Sequence, residues 1–181
     1  MKFIKQALPD VYLIEPEPAK DHRGLLRRHF CKREFDPFYP IPDINQSNIS
    51  ENLKKKTLRG FHYQKSPHGE SRLISCVKGG VYDIVVDLRP TSRTFCKWIS
   101  TELTEDNRLS LFVPDGCANA FLTLENNSWM LYLHTGFYVP GFEGGVRYND
   151  PYFNFKWPTK PEVISERDGN IPLFNPGDFS L

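Results

Sequence analysis

Residues 73–88, with the sequence LISCVKGGVYDIVVDL, decide the fold class of this chain. Two runs rich in aliphatic and β-branched residues lie on either side of Gly79 and Gly80, and a Gly-Gly pair favours a tight turn between strands. Arg89 and Pro90 end the second run, because proline cannot donate a hydrogen bond to a sheet. The segment therefore predicts strands over residues 73–77 and 81–88, joined by a hairpin turn.

The rest of the chain repeats this pattern of short strands and turns. Fifteen prolines and twelve glycines leave no long segment with the 3.6-residue apolar period of a helix. Further strands are expected over residues 11–15, 95–103, 110–113, 120–124, 130–134 and 153–157, and short helices over residues 32–38 and 104–108. The last of these strands carries an alternating aromatic face, which suits the core or a subunit interface. The sequence thus predicts one all-β domain over residues 1–181, an antiparallel sandwich or barrel.

Composition excludes several classes of partner. Lysine and arginine total 23 against 22 aspartate and glutamate residues, which gives no basic surface suited to nucleic acid or to an anionic membrane. Apolar runs are only a handful of residues long, and the N-terminus lacks an export signal, so a cytoplasmic location is expected. The four cysteines are at least 20 residues apart and form no C-x-x-C pair, which favours reduced, structural thiols over a zinc or redox site.

Alternation along the predicted strands indicates which side chains share a face. Asp83 and Asp87 share a face with valines, so this face either meets solvent or lines a polar cavity. His62 lies in the segment 58–64, where Arg59 points to the opposite face unless a bulge intervenes.

The segment 58–64, LRGFHYQ, also carries the strongest chemical signal. It holds the cation Arg59 as well as His62, and a second cation, Arg72, follows ten residues after His62. A histidine titrates near neutrality and can remove a proton from carbon when a fixed cation stabilises the resulting anion. This pattern indicates proton chemistry beside a carbonyl group.

Nine motifs along the chain occur in a characteristic order and spacing. They are DHRG at 21–24, NQSNIS at 45–50, LRGFHYQ at 58–64, GVYDIVVDLR at 80–89, FVPDGCANAF at 112–121, LY at 131–132 with YVP at 138–140, NDP at 149–151, WP at 157–158 and ISERD at 164–168. Taken together, this series resembles the dTDP-4-dehydrorhamnose 3,5-epimerase family. The resemblance implies a cupin-type jelly roll (a double-stranded β-helix), a homodimer, and cofactor-free epimerisation at C3, C5 or both of a nucleotide-linked 4-keto-6-deoxyhexose.

The resemblance also implies roles for individual residues. His62 matches the catalytic base, Asp168 matches the carboxylate that orients it, and Tyr132 matches the acid on the opposite side of the sugar. Tyr138 matches a tyrosine that stacks on the nucleobase. Six further positions match residues that contact the nucleotide sugar, namely Arg23, Gln46, Asn48, Arg59, Glu143 and Arg167.

This chain departs from the family pattern at three places. Arg72 stands where the family usually has lysine, and it keeps the positive charge expected to stabilise the reacting carbonyl. Asn119 stands where histidine is usual, and its amide still donates to an oxyanion. Residues 25–28, LLRR, replace an aromatic residue and a glutamate that serve the neighbouring subunit; Arg28 is therefore assigned to substrate binding. Asp83 is assigned to the same cavity as a partner of Arg72.

Two other functions remain open from the sequence alone. A 3,4-ketoisomerase would act on the same substrates by similar acid-base steps, and a non-catalytic nucleotide-sugar-binding cupin would retain the fold without the chemistry. Nothing in the sequence names the nucleotide, and His134, which shares a face with Tyr132, is left without a functional role.

A metal site is a further alternative, because His62, His68 and Glu70 lie near one another. Proline and glycine interrupt the segment between these residues, and Asn119, on a later strand, is a poor ligand for a transition metal. The sequence therefore predicts no metal and no other cofactor.

Overall fold

The computed structural model describes residues 1–177, and its ordered elements are almost entirely antiparallel strands. Residues 178–181 of the expected domain lie outside the described residues. The strands are β1 (Lys2–Lys5), β2 (Tyr12–Glu15), β3 (Ala19–Asp21), β4 (Gly24–Leu26), β5 (Gln46–Asn52), β6 (Leu58–Gln64), β7 (Arg72–Lys78), β8 (Gly80–Asp87), β9 (Trp98–Thr104), β10 (Ser110–Val113), β11 (Cys117–Thr123), β12 (Ser128–His134) and β13 (Glu143–Gly145), and the helices are α1 (Lys32–Phe35) and α2 (Glu166–Gly169). Neither helix within residues 1–177 is long or apolar enough to cross a membrane.

Two sheets face each other across the core. The six-stranded sheet has the order β1-β2-β10-β7-β12-β5, the five-stranded sheet has the order β13-β6-β11-β8-β9, and β3 pairs with β4 in a separate hairpin. Side chains of both sheets share one buried cluster, including Ile74 and Met130 from the first sheet and Val85 and Phe121 from the second. This architecture is the antiparallel, cupin-type jelly roll implied by the resemblance, so the predicted fold class is confirmed.

The strands predicted around Gly79 and Gly80 exist, but the predicted hairpin is wrong. β7 pairs with β10 and β12, whereas β8 pairs with β11 and β9, so the two glycines carry the chain from one sheet to the other. Gly79 has a φ of +69°, and a Cβ there would lie 2.7 Å from Oγ of Ser128. Both strands are buried on both faces, and the local sequence pattern does not specify which strands lie beside them.

Several predicted bounds changed because of specific local interactions. β10 has the predicted range, whereas β9 starts at Trp98 rather than at residue 95. The chain before it folds around Asp87, whose carboxylate accepts hydrogen bonds from the Ser92 and Thr94 hydroxyl groups, both at 2.6 Å. α1 stops at Phe35 instead of residue 38, because Pro37 has no amide hydrogen with which to continue the helix.

Two predicted elements are absent from the described residues. The predicted helix over residues 104–108 is instead the end of β9 and a turn over residues 105–107, closed by reciprocal 3.0 Å hydrogen bonds between Thr104 and Asn107. Residues 153–157 form no strand, yet the rings of Phe153 and Phe155 stack with centroids 5.0 Å apart inside a buried cluster. The aromatic spacing therefore identified core residues correctly and their backbone conformation incorrectly. Five strands were not predicted: β1, β3, β4, β5 and β13.

Candidate active site

A cavity of about 300 Å³ lies between the two sheets. The five-stranded sheet contributes Arg59, His62, Asn119 and Phe121 to its wall, and the six-stranded sheet contributes Asn48, Ser50, Arg72, Tyr132 and His134. Polar groups from both sheets thus converge on a single open pocket of the size of a small ligand.

His62 on β6 is held by a buried carboxylate. Its Nε2 lies 2.7 Å from Oδ1 of Asp168, whose residue is only 3% exposed. Burial raises the pKa of Asp168, but the hydrogen bond from His62 and a further one from Gly60 lower it more, so the pKa falls below its usual value. An ionised carboxylate only accepts hydrogen bonds, which places the proton on Nε2 and leaves Nδ1 of the neutral ring as the basic atom.

Asp168 is positioned by the start of α2. Ser165 is the N-cap of this helix, and its Oγ accepts a 3.1 Å hydrogen bond from the Asp168 amide. Within the segment ISERD, Ser165 therefore caps the helix and Asp168 is the partner of His62. The cap orients the helix so that the carboxylate of Asp168 points back towards β6.

A β-bulge brings Arg59 into the cavity. In the pairing of β6 with β11, His62 lies opposite Asn119 and Arg59 lies opposite Phe121, so β6 has one residue more than β11 between these positions. The extra residue turns Arg59 onto the face of His62. Of the two orientations considered for Arg59, the one that requires a bulge is therefore correct.

Gly60 makes this close strand pairing possible. Its φ is +115°, and a Cβ at this position would lie 2.6 Å from both Ala120 Cα and the Asn119 carbonyl oxygen. The Gly60 amide also donates a 3.2 Å hydrogen bond to Oδ2 of Asp168. Gly60 therefore allows the bulge to form, lets β6 and β11 approach closely, and donates a hydrogen bond to the Asp168 carboxylate.

Tyr132 reaches the cavity from the opposite sheet. It lies on β12, and its ring stacks against His134 with centroids 5.8 Å apart and an interplanar angle of 22°. Burial raises the pKa of the Tyr132 phenol, so the phenol keeps its proton at neutral pH and can donate it. Because β6 and β12 belong to opposite sheets, the imidazole of His62 and this phenol occupy opposite walls.

Arg72 is buried beside His62. Its Nη2 donates to the His62 carbonyl at 2.8 Å and to the Cys117 carbonyl at 3.4 Å, while its Nε lies 4.0 Å from Oε1 of Glu70. The carboxylate nearest to this guanidinium is therefore Glu70, and the expected pairing of Arg72 with Asp83 is corrected. Nη2 of Arg72 instead donates its hydrogen bonds to backbone carbonyl groups of β6 and β11.

Asp83 is fully buried and accepts a 3.1 Å hydrogen bond from Nδ2 of Asn119. Burial raises the pKa of Asp83 to about 8, although the Asn119 hydrogen bond and the charge of Arg72 act in the opposite direction. Asp83 therefore lies behind Asn119 in the protein interior, so at this position the face of β8 neither meets solvent nor lines the cavity. Asp87 instead binds Arg89, at 2.9 Å, away from the cavity.

The mouth of the cavity carries the remaining predicted contacts. The Tyr138 hydroxyl donates to Oε1 of Glu143, and the Tyr138 amide donates to Oε1 of Gln46. Nη2 of Arg167 lies 4.0 Å from the same Glu143 oxygen. The Tyr138 residue is 55% exposed, so much of it is open to a ligand at the entrance.

Arg23 and Arg28 do not reach the cavity of their own chain. Arg23 lies at the turn between β3 and β4 and pairs with Asp21 at 2.6 Å, and Arg28 pairs with Glu34 at 2.5 Å. Their assignment to substrate binding stays a prediction, and it requires a second copy of the chain.

Sequence reasoning missed Glu70 and His134, which both line the cavity and lie 3.1 Å apart. The alternation that placed His134 on the face of Tyr132 was the available signal. Within residues 1–177, no three His, Cys, Asp or Glu side chains are grouped so as to hold a metal ion.

The arrangement can be compared with known proteins. A family model described as dTDP-4-dehydrorhamnose 3,5-epimerase matches residues 5–176. The chain belongs to the dTDP-4-dehydrorhamnose 3,5-epimerase family. It is 33% identical over 182 residues to the dTDP-4-dehydrorhamnose 3,5-epimerase of Shigella flexneri, with 100% of both chains covered.

Two solved structures of dTDP-sugar epimerases share the fold over almost the whole chain. The dTDP-4-dehydrorhamnose 3,5-epimerase of Elizabethkingia anophelis is 36% identical, with a TM-score of 0.92 and 96% of each chain covered. The dTDP-6-deoxy-D-glucose-3,5-epimerase of Legionella pneumophila, in complex with dTDP-4-keto-L-rhamnose, is 30% identical, with a TM-score of 0.89 and 95% of this chain and 92% of that one covered. Membership of the epimerase family, expected from the ordered motifs, is thus confirmed.

Proposed function

We propose that this chain epimerises a nucleotide-linked 4-keto-6-deoxyhexose at C3, C5 or both, without a cofactor. One observation carries the proposal: His62, which is held by Asp168, and Tyr132 line the same cavity from opposite sheets. Inversion at a carbon next to a ketone needs a base on one side and an acid on the other, and this cavity offers both. The dTDP-sugar bound in the Legionella pneumophila relative supports the same class of ligand.

His62 performs the first step. Its Nδ1 removes the proton from the carbon next to the C4 ketone, and the electron pair of that C–H bond moves into an enolate. Asp168 holds the ring in the required tautomer and stabilises the imidazolium that forms. The buried positive charge of Arg72 and the amide of Asn119 lie in the same cavity and stabilise the enolate oxygen.

Tyr132 performs the second step. Its phenol donates a proton to the same carbon from the opposite side, the enolate collapses to the ketone, and the configuration is inverted. The enzyme is left with a protonated His62 and a phenolate, which exchange protons with solvent before the next turnover.

The polar groups around the cavity mouth suit the nucleotide. The Tyr138 ring offers a face on which a base can stack, and the guanidinium groups of Arg59 and Arg167 suit a diphosphate. Asn48 and Gln46 supply amide contacts for the sugar.

Incubation with nucleotide-linked 4-keto-6-deoxyglucose in deuterated water tests the proposal, with dTDP, CDP, GDP and UDP substrates compared. Wild type should incorporate deuterium at C3, C5 or both, and His62→Asn should abolish incorporation while leaving the melting temperature unchanged. His68→Asn is the matched control, because the His68 ring packs on Phe142 with centroids 4.3 Å apart rather than in the cavity. No incorporation by wild type from any of the four substrates would refute the proposal, and a 3-keto product would identify a ketoisomerase instead.

We also infer that the chain is a homodimer. Leu26 on β4 is 78% exposed, and Leu53, directly after the edge strand β5, is 73% exposed. A second copy would cover these apolar side chains and bring the arginines near β4 towards a neighbouring cavity. Sedimentation of wild type and of Leu26→Asp tests this inference; a monomeric wild type would contradict it.

A cytoplasmic location accords with the thiol chemistry. All four cysteines are free, as expected in a reducing compartment. Fractionation of cells that express the untagged chain would test this inference, with recovery outside the cytoplasm as the contrary result.

A further inference from the structure

A second histidine–carboxylate pair lines the same cavity, and the steps proposed above do not use it. Nδ1 of His134 lies 3.1 Å from Oε2 of Glu70, and the two side chains are only 15% and 9% exposed. The pair lies on the Tyr132 side of the cavity, whereas the His62–Asp168 pair lies on the opposite side.

The fold makes room for this pair. His134 is the last residue of β12 and lies opposite Arg72, the first residue of β7, while Glu70 lies two residues before β7. A Cβ on Gly136 would lie 2.9 Å from Cβ of Glu70, so the absence of a side chain at Gly136 allows Glu70 to approach. Oε1 of Glu70 also lies 4.0 Å from Nε of Arg72, which keeps a positive charge beside the carboxylate.

Hydrogen bonding fixes the orientation of the His134 ring. An ionised Glu70 only accepts, so Nδ1 carries the proton and Nε2 becomes an acceptor. Nδ2 of Asn48 lies 3.3 Å from this Nε2 and donates to it. The chain Asn48–His134–Glu70 thereby leaves the amide oxygen of Asn48 as the acceptor for a ligand hydroxyl.

The same ring supports Tyr132. The two rings stack with centroids 5.8 Å apart and an interplanar angle of 22°. His134 therefore contacts both the residue assigned as the acid and a residue assigned to bind the sugar.

We propose that Glu70 and His134 are positioning residues that hold Tyr132 and Asn48 in place and so determine how efficiently the enolate is protonated on the phenol side. The proposal rests on the proposed epimerase function. Without the stack, the phenol moves while His62 remains in place. His62 then still removes the proton and returns a solvent deuteron to the same side, which gives exchange without inversion.

Four variants separate the contacts of His134 and Glu70. His134→Phe keeps the ring stack and loses both hydrogen bonds, including the one that orients Asn48, so KM should rise about tenfold with kcat little changed. His134→Gln keeps an acceptor for Asn48 and loses the ring, so kcat for inversion should fall about tenfold with a smaller change in KM. Glu70→Gln keeps an acceptor for Nδ1 and should resemble wild type more closely than Glu70→Ala. His68→Gln is the control for a histidine replaced outside the cavity.

The decisive measurement is the ratio of deuterium exchange to inversion at the reacting carbon. The proposal expects this ratio to rise in His134→Gln and to stay at the wild-type value in His134→Phe and His68→Gln. Equal losses of exchange and inversion in His134→Gln, or equal KM and kcat effects in both His134 variants, would overturn it.

A second readout does not depend on turnover. In the spectrum of tyrosine-labelled protein, the Tyr132 ring signal, assigned with Tyr132→Phe, should move in His134→Gln much more than in His134→Phe. An unmoved signal in His134→Gln overturns the positioning role. An inactive wild type with a signal that moves as expected refutes the epimerase function alone.

Discussion

Replacing Asp83 by Asn should remove a large part of the pH dependence of stability near neutrality. The Asp83 side chain is fully buried and its carboxyl accepts one hydrogen bond, at 3.1 Å, from Asn119. Burial raises the pKa of this carboxyl from 3.8 to about 8, against the smaller opposing effects of Asn119 and Arg72. Asn has nearly the same shape as the protonated acid and keeps an acceptor for Asn119.

The direction of this pH dependence follows from the raised pKa of Asp83. Above pH 3.8 the unfolded chain has lost this proton, whereas the folded chain keeps it until about pH 8. Unfolding therefore releases a proton in this window, and the contribution of Asp83 to stability is lost as the pH rises. The slope is about 1.4 kcal/mol per pH unit, so the wild type should lose about 2 kcal/mol between about pH 6 and pH 7.5 relative to Asp83→Asn.

Urea unfolding at these two pH values measures the effect as a difference between variant and wild type. Asp87→Asn is the matched control, because Asp87 is also fully buried and lies on the same strand. Burial acts to raise the pKa of Asp87, but hydrogen bonds from Arg89, Ser92 and Thr94 lower it below its usual value. Its contribution is present above the unfolded pKa and is lost only as the pH falls below it, so the difference for Asp87→Asn should stay constant between about pH 6 and pH 7.5. Parallel pH profiles for wild type and Asp83→Asn would refute the reasoning.

Three further predictions concern the residues that build the base. Gly60→Ala should destabilise the fold by about 2–5 kcal/mol, because the added Cβ would lie 2.6 Å from Ala120 Cα at a φ of +115°. Urea unfolding measures this loss. Gly24→Ala is the control and should lose much less stability, because the φ is +126° but no atom lies within 4 Å of the added Cβ. Ser165→Ala should cost about 1 kcal/mol of stability through the lost cap and should also lower kcat. Ser165→Thr should restore both the stability, measured by thermal melting, and kcat, measured from initial rates. An unchanged kcat in Ser165→Ala would show that the cap does not affect catalysis. Asp168→Asn should lower kcat by about 10²–10⁴ with folding retained, measured by product formation, and a variant as active as wild type would remove the dyad from the mechanism.

Much of the candidate site was readable from the sequence. The motif order pointed to the family and, through that resemblance, to His62, Tyr132 and Asp168; His62 and Tyr132 line one cavity, and Asp168 contacts His62. Strand alternation also placed His134 on the face of Tyr132, and both residues line the cavity, because spacing along a strand fixes which side chains share a face.

Other features depended on contacts that sequence patterns do not specify. Arg59 entered the cavity only through the bulge at Gly60, and the nearest carboxylate to Arg72 proved to be Glu70. Glu70 was weighed only as a metal ligand, because its closeness to His134 joins positions 64 residues apart.

By itself, the sequence determined the all-β class, most of the strands and the chemical types available for proton transfer, since local propensity and period-2 alternation act over a few residues. Only the tertiary structure decided that Gly79 and Gly80 join two different sheets and that β6 and β12 lie in opposite sheets, so that the imidazole and the phenol enter from opposite walls. The physical reason is that burial and hydrogen bonding between residues far apart in the chain determine which strands pair. The local sequence of either strand does not specify these contacts.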